Sequence, residues 1–289
     1  MRRSQQYNAG FTLIEIAIVL LIVSILLGYT VALFPKQQEL KQYRAADEEM
    51  DKVIAAIIGF AQVNGRLPCP TTPTLAGTED GGGATECNNF GGFVPVNTLG
   101  IEGKLNADSL LLDPWGNPYR YYVSNSDVDA SGDADFVTNG EMRTIGLVDA
   151  IDVPNGIPGT DGYIDLDGQF LICDAAGTTT DDVCTGANEV FGNDAGAAVP
   201  GPYAGAPFVL VSHGKNWNEG AAAGDELENL GALTLPVGPT TIAFPLKNIA
   251  AGETTFVKRP GLADDFDDIV KWVSPNILFS KMIEAGQLP

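Results

Sequence analysis

The stretch FTLIEIAIVLLIVSILLGYTVALF, residues 11–34, decides the architecture of this chain. It carries one charged side chain, Glu15, and is apolar almost throughout. As an α-helix it would extend for about 36 Å, whereas the hydrocarbon core of a bilayer is about 30 Å thick. The sequence therefore predicts a helix over residues 11–34 that crosses the membrane once.

The residues before this helix indicate its orientation. Residues 1–10 contain Arg2 and Arg3 but no acidic side chain, so the positive-inside rule keeps them in the cytoplasm and places the rest of the chain outside. The alternative is a secretory signal peptide, which has a shorter apolar core and a small-residue cleavage site after it. Residues 34–36, Phe-Pro-Lys, do not fit such a site, and the small residue Gly10 precedes the apolar run instead.

Residues 10–15, Gly-Phe-Thr-Leu-Ile-Glu, follow the basic leader and open the apolar run. This arrangement resembles the cleavage and methylation motif of type IV pilins and of the pseudopilins of type II secretion systems. The resemblance implies that a prepilin peptidase cuts after Gly10, that the new amine of Phe11 is N-methylated, and that Glu15 helps to recruit and register the next subunit. It also implies, as partners, an inner-membrane assembly platform and other copies of this chain or related subunits.

The position of Glu15 agrees with such a role. A carboxylate inside a membrane-length apolar helix is costly, rare and usually paired. The positive amine of Phe11 in a neighbouring subunit would neutralise it, and the dipole of the first helical turn favours an anion there by about 0.3–1 kcal/mol. The alternative is a plain membrane anchor that tolerates Glu15 near the interface.

An amphipathic helix is predicted over residues 35–66. Apolar side chains recur there at spacings of three and four, which is the pattern of one helix face. The set is Leu40, Tyr43, Ala46, Met50, Val53, Ile57 and Phe60. Asn64-Gly65 predicts the end of this helix. Pro35 is expected either to kink one continuous helix or to separate two helices.

The overall charge narrows the classes of partner. The chain has 37 acidic and 16 basic residues, for a formal charge of −21. Because binding to nucleic acid depends on neutralising phosphates with basic side chains, we expect no nucleic-acid partner. The acidic excess instead suits solubility or the binding of divalent cations.

The cysteines indicate an oxidising compartment. The chain has four, at Cys69, Cys87, Cys173 and Cys184, and sequence alone allows three pairings. We favour the two local ones, Cys69 with Cys87 and Cys173 with Cys184. Each would close a loop rich in Gly, Thr and Asp that has few apolar contacts to hold it.

Residues 67–289 are predicted to form one exported globular domain. The signals are strands and turns, so the expected fold is α+β, with the long N-terminal helix packed on an antiparallel β-sheet that has long loops. The element Asp113-Pro-Trp-Gly-Asn-Pro-Tyr119 leads into an aromatic strand and resembles the start of the first strand in pseudopilins. The other predicted elements are strands at 142–148, 169–173, 207–212 and 240–244 and a final helix at 274–286.

The last third of the domain resembles the major pseudopilins in a second way. A strand is followed by Ser212-His213-Gly214, an acidic loop and then Asp-Ile-Val-Lys-Trp at 268–272. In that family the loop holds a structural calcium ion, which takes oxygen ligands. The candidate ligands carried over are Asn218, Glu219, Asp225, Asp267 and Asp268. Lys215-Asn216 and a long insertion at about 226–262 depart from the family pattern, and a solvated acidic loop is the alternative.

Three functions are compatible with these features. The first is a structural subunit of a pilin-like filament, of the pseudopilin type, which starts in the inner membrane and then forms a filament in the periplasm or at the cell surface. The second is a major or minor type IV pilin with an adhesive or tip role. The third is a membrane-anchored periplasmic enzyme. His213 is the one histidine, and no nucleophile elbow or zinc motif is visible, so we expect no enzyme.

Overall fold

The computed structural model describes most of the chain in ten segments. These are residues 12–83, 86–127, 132–143, 168–174, 189–191, 205–215, 229–231, 233–234, 245–259 and 266–288. The contacts within the chain divide it into two units, Met1–Arg44 and Ala45–Pro289.

A single helix, α1, runs over Leu13–Asn64 and contributes to both units. Its backbone remains helical through Pro35, so the structure has one helix here rather than two. Gly65 follows its end with a φ of +71°, as the Asn64-Gly65 signal predicts. Within the described residues, none of the helices combines the length and the apolar character needed to cross a membrane.

The larger unit contains three sheets among its described residues. The strands are β1 (Gly91–Phe93), β2 (Arg120–Val123), β3 (Leu171–Cys173), β4 (Glu189–Phe191), β5 (Phe208–Ser212), β6 (Leu233–Thr234), β7 (Pro245–Leu246), β8 (Thr255–Val257) and β9 (Ile269–Trp272). The main sheet has the order β1-β2-β5-β9 and is antiparallel throughout. In the second sheet, β4-β3-β8, the β3–β8 pair is parallel. The strands β6 and β7 pair with each other.

Two further α-helices and two short 3₁₀ helices, Pro73–Leu75 and Ile249–Ala251, lie entirely within the described residues. The short α2 covers Val96–Leu99, and α3 covers Pro275–Glu284 with Ser274 at its N-cap and Pro275 in its first turn. The latter agrees with the helix expected at 274–286. The strand predicted at 142–148 is wrong at residues 142 and 143, because residues 141–143 form a helical turn. The rest of that predicted strand and the one at 240–244 lie outside the described residues.

The main sheet is buried on both faces. Val209 and Val211 of β5 belong to a core cluster that also contains Phe170 and Phe256 from the region of the second sheet. On the other face, Tyr121 packs edge to face with Phe208 and donates its hydroxyl to the carbonyl of Pro68 just beyond α1.

The helical face that the spacing predicts is buried from Ala46 onward. Of the predicted set, Ala46, Met50, Val53 and Ile57 are fully buried, whereas Tyr43 and Phe60 are half-buried. Ala61, which the spacing did not include, is also fully buried. Leu40, at the start of the predicted face, is 48% exposed.

Candidate functional site

The start of α1 is set by Thr12. Its side-chain Oγ1 accepts a hydrogen bond from the Glu15 amide at 3.3 Å, and its carbonyl accepts from the amides of Glu15 and Ile16 at 3.1 and 3.2 Å. Thr12 is therefore the N-cap, and Glu15 is the third helical residue. Thr and Glu at this spacing are the signature of a capping box, a signal that the sequence itself carries. Gly10 and Phe11 lie outside the described residues.

On both sides of Glu15 the helix presents apolar side chains to its surroundings. Those of Leu13 to Leu27 are 42–88% exposed within this single chain. They are Leu13, Ile14, Ile16, Ile18, Val19, Leu20, Leu21, Ile22, Val23, Ile25, Leu26 and Leu27. Fully burying a side chain of this size contributes about 1.5–3 kcal/mol, so a surface like this is stable only against lipid or against other apolar helices.

The predicted aromatic turn is built around the carboxylate of Asp113. One oxygen, Oδ1, accepts from the amides of Trp115 and Asn117 at 3.0 and 2.8 Å, and Oδ2 accepts from the hydroxyl of Ser212 at 2.7 Å. Burial raises the pKa of this carboxyl above its usual value, while the hydrogen bonds from Asn117, Ser212 and Trp115 act in the opposite direction. The turn is therefore joined to the end of β5.

The residues that follow β5 also bond to the aromatic turn and to the residues before β9. The side-chain amide of Asn117 donates to the carbonyl of Gly214, and the Lys215 amide donates to Asp267 Oδ2 at 2.6 Å. Gly214 has a φ of +58°, and a Cβ added to it would lie 2.5 Å from the carboxyl carbon of Asp267. Only glycine allows the carboxylate to approach the backbone this closely. The spacing Ser-x-Gly thus has a geometric reason in this chain.

The neighbouring carboxylate, Asp268, is buried and is linked to His213 after β5 and, through Asn229, to β8. It lies 3.3 Å from Nδ1 of His213 and accepts from Nδ2 of Asn229 at 2.9 Å. The side chain of Asn229 also pairs with the backbone of Val257, donating to its carbonyl at 2.9 Å and accepting from its amide at 2.7 Å. His213 therefore has a structural position. Asn229 was missed, since a single Asn carries no sequence signal for such a role.

The predicted calcium ligands are only partly placed by the structure. Asp267 and Asp268 lie together just before β9, where both make hydrogen bonds within the protein. Asn218, Glu219 and Asp225 lie outside the described residues. Among the residues that are described, no group of three or more His, Cys, Asp or Glu side chains is arranged to hold a metal.

A disulfide fastens the chain beyond the end of α1. Cys69 and Cys87 are bonded, with their Cα atoms 5.5 Å apart. Glu79 lies beside them: it forms a bidentate pair with Arg66 at 2.8 Å and accepts from the Cys69 amide at 3.1 Å. The second expected pair includes Cys184, which lies outside the described residues.

Comparison with protein families identifies the N-terminal segment. Residues 5–31 match the prokaryotic N-terminal methylation motif, which covers Gly10, Phe11 and Glu15. Comparisons with curated proteins and with solved structures found no match. The motif supports the assignment of this chain to the type IV pilin-like family. It implies processing by prepilin peptidase and assembly with pilin subunits, and it indicates a structural subunit rather than an enzyme.

Proposed function

We propose that this protein is a pseudopilin, the filament subunit of a type II secretion system, and that it polymerises through the apolar half of α1. The observation that carries the proposal is the exposed apolar surface over Leu13–Leu27, which contains Glu15 and lies inside the matched methylation motif. A surface of this kind needs lipid before assembly and other helices after it.

Processing creates the partner for Glu15. The prepilin peptidase cleaves after Gly10 and frees the amine of Phe11, which is then methylated and remains cationic. In the filament this amine neutralises Glu15 of an adjacent subunit, so each added subunit is registered by one ion pair shielded from water. Before assembly the chain is held in the inner membrane, with its leader in the cytoplasm and its larger unit in the periplasm.

The features of the larger unit favour a pseudopilin over a type IV pilin. Support comes from the Asp113 turn that feeds β2 and from its hydrogen bond to Ser212 at the start of the Ser-x-Gly element. Trp272 at the end of β9 completes the Asp-Ile-Val-Lys-Trp element, which resembles that of the major pseudopilins. A major or minor type IV pilin with an adhesive role is the alternative, and the length of the unit favours it. Co-purification of this subunit with secretion pseudopilins or with pilus subunits separates the two.

A calcium ion held by Asn218, Glu219, Asp225, Asp267 and Asp268 is a further part of the proposal. The support is the acidic loop that follows Ser212-His-Gly214 and the placement of Asp267 against Gly214. Limited proteolysis of the full chain, in calcium and in chelator, tests the idea. Faster cleavage between about residues 215 and 268 in chelator is expected, and identical digestion patterns would remove calcium from the proposal.

Mass spectrometry of the mature chain tests the processing step. Co-expression with prepilin peptidase is expected to give a protein that lacks residues 1–10 and carries one methyl group on Phe11. A chain that keeps its leader, or begins at another residue, would contradict the proposal.

A charge-removing substitution tests the assembly step. Glu15→Gln is expected to leave cleavage intact and to lower filament yield at least about tenfold, since one buried amine then loses its partner. Glu102→Gln, at an exposed position of the larger unit, is the matched control and should assemble like the wild type.

A further inference from the structure

We propose that the side chains of Lys36, Lys41 and Arg44 form a binding surface for anionic lipid headgroups. These residues define the basic segment of α1, residues 36–44. The inference rests on the membrane anchoring contained in the proposed function and adds to it a class of lipid.

All three basic side chains are exposed on the helix. In the described part of the chain none of them has an ion-pair partner, whereas Arg66, Lys271 and Lys281 each pair with a carboxylate. In a protein with 37 acidic residues, these three exposed cations are available to bind an anionic surface outside the chain.

The helical positions of these cations place them on one continuous surface. Lys36, Leu40 and Arg44 follow one another at intervals of four residues, and Lys41 adjoins Leu40, so the cations lie within about 140° of the helix circumference. Leu40 is 48% exposed between them. At 1.5 Å per residue the segment extends for about 12 Å along the axis.

The basic segment belongs to the same unit as the exposed apolar side chains of Leu13–Leu27. The apolar run ends at Phe34 in the sequence, and the first cation is Lys36. An apolar surface followed along one helix by exposed cations matches the order of layers in a bilayer, where acyl chains give way to phosphate-bearing headgroups. The occupant that fits this order is therefore the lipid surface itself.

The distribution of charge argues for anionic rather than zwitterionic lipid. Between residues 16 and 46 the sequence has one acidic residue, Glu39, which is half-buried, although the chain as a whole carries −21. Topology does not account for these cations, because the positive-inside rule concentrates Lys and Arg on the cytoplasmic side, opposite to this segment in the proposed orientation. Each cation near an anionic surface strengthens binding about fivefold.

Partition of the full-length protein between vesicles tests this proposal. The chain is diluted from detergent into vesicles of phosphatidylcholine alone or with one quarter phosphatidylglycerol, and bound protein is separated by flotation. The wild type is expected to favour the vesicles with phosphatidylglycerol by at least about tenfold at low salt, and less at high salt. The variant K36Q/K41Q/R44Q is expected to bind both kinds of vesicle equally.

A matched variant controls for the loss of three positive charges. K52Q/K104Q/R143Q changes three exposed basic residues outside the basic segment and should keep the preference of the wild type. Equal binding of the wild type to both vesicles would overturn the lipid specificity and leave the membrane anchoring intact. Failure to bind either kind would overturn both. Loss of the preference in the matched variant would assign the effect to net charge and overturn the basic segment as the site.

Discussion

Ser212, the last residue of β5, donates its hydroxyl to Asp113 Oδ2 at 2.7 Å across 99 positions of the chain. The same carboxylate closes the turn that leads into β2 through its bonds to the amides of Trp115 and Asn117. One side chain thus sets the local turn and ties it to the neighbouring strand, which explains why the aromatic turn and the Ser-x-Gly element occur in one domain.

Removing the hydroxyl of Ser212 is expected to destabilise the larger unit. Ser212→Ala leaves a buried carboxylate with one hydrogen bond fewer, at a cost of about 1.5–3 kcal/mol. The free energy of unfolding of the full chain in mild detergent, measured with urea, checks this value. Ser280→Ala, at an exposed position of α3, is the control and should remain within about 0.5 kcal/mol of the wild type.

The effect of pH through Asp113 has a definite sign. Burial raises the pKa of this carboxyl above 3.8, and a group with a higher pKa in the folded state takes up a proton on folding. Its contribution to the free energy of unfolding therefore increases as the pH falls through the folded pKa toward 3.8. Asp113→Asn should lack this contribution. As the pH falls through that interval, its free energy of unfolding should therefore increase less than that of the wild type. Parallel curves for the two proteins, in urea unfolding at stepped pH, would count against this assignment.

Alanine substitutions at Gly214 and Gly252 distinguish the cost of a steric contact from the cost of backbone strain. Gly214→Ala places a Cβ 2.5 Å from the carboxyl carbon of Asp267 at a φ of +58°. This variant therefore has both the steric contact and the strain of a positive φ. Gly252→Ala has only the second, because its φ is +92° and no atom lies within 4 Å of the added Cβ. We expect the first variant to unfold at a lower urea concentration than the second, by the equivalent of about 1–3 kcal/mol. Equal losses would show that Asp267 moves aside without cost.

The cap at Thr12 is testable by hydrogen exchange. Thr12→Val removes the oxygen that accepts from the Glu15 amide, and the loss of an N-cap costs about 0.5–2 kcal/mol. The amides of Glu15 and Ile16 are therefore expected to exchange severalfold faster in detergent. Thr12→Ser retains the acceptor and should restore protection, whereas rates unchanged in Thr12→Val would mean that the carbonyl of Thr12 alone sets the helix start.

Local order along the chain was predictable where neighbouring residues determine it. The end of α1 at Asn64-Gly65, the helix α3 and the strand at Phe208–Ser212 all follow from spacing, turn residues and runs of apolar residues. The continuity of α1 through Pro35 does not, since the sequence allows either one kinked helix or two separate helices there. The identity of the N-terminal segment was also predictable, since Gly10, Phe11 and Glu15 form a compact motif that the family comparison bears out. Such features need no information about distant parts of the chain.

The sequence by itself determined that this protein has a long helix with an apolar first half, a methylation motif at its start and an acidic α+β domain after it. Only the tertiary structure decided that β3 and β8 pair in parallel, that Asn229 joins Asp268 to Val257, and that Ser212 meets Asp113. The physical reason is range. A helix and its caps depend on contacts within a few residues, whereas these pairings join residues tens of positions apart, and only the packed core brings them within hydrogen-bonding distance.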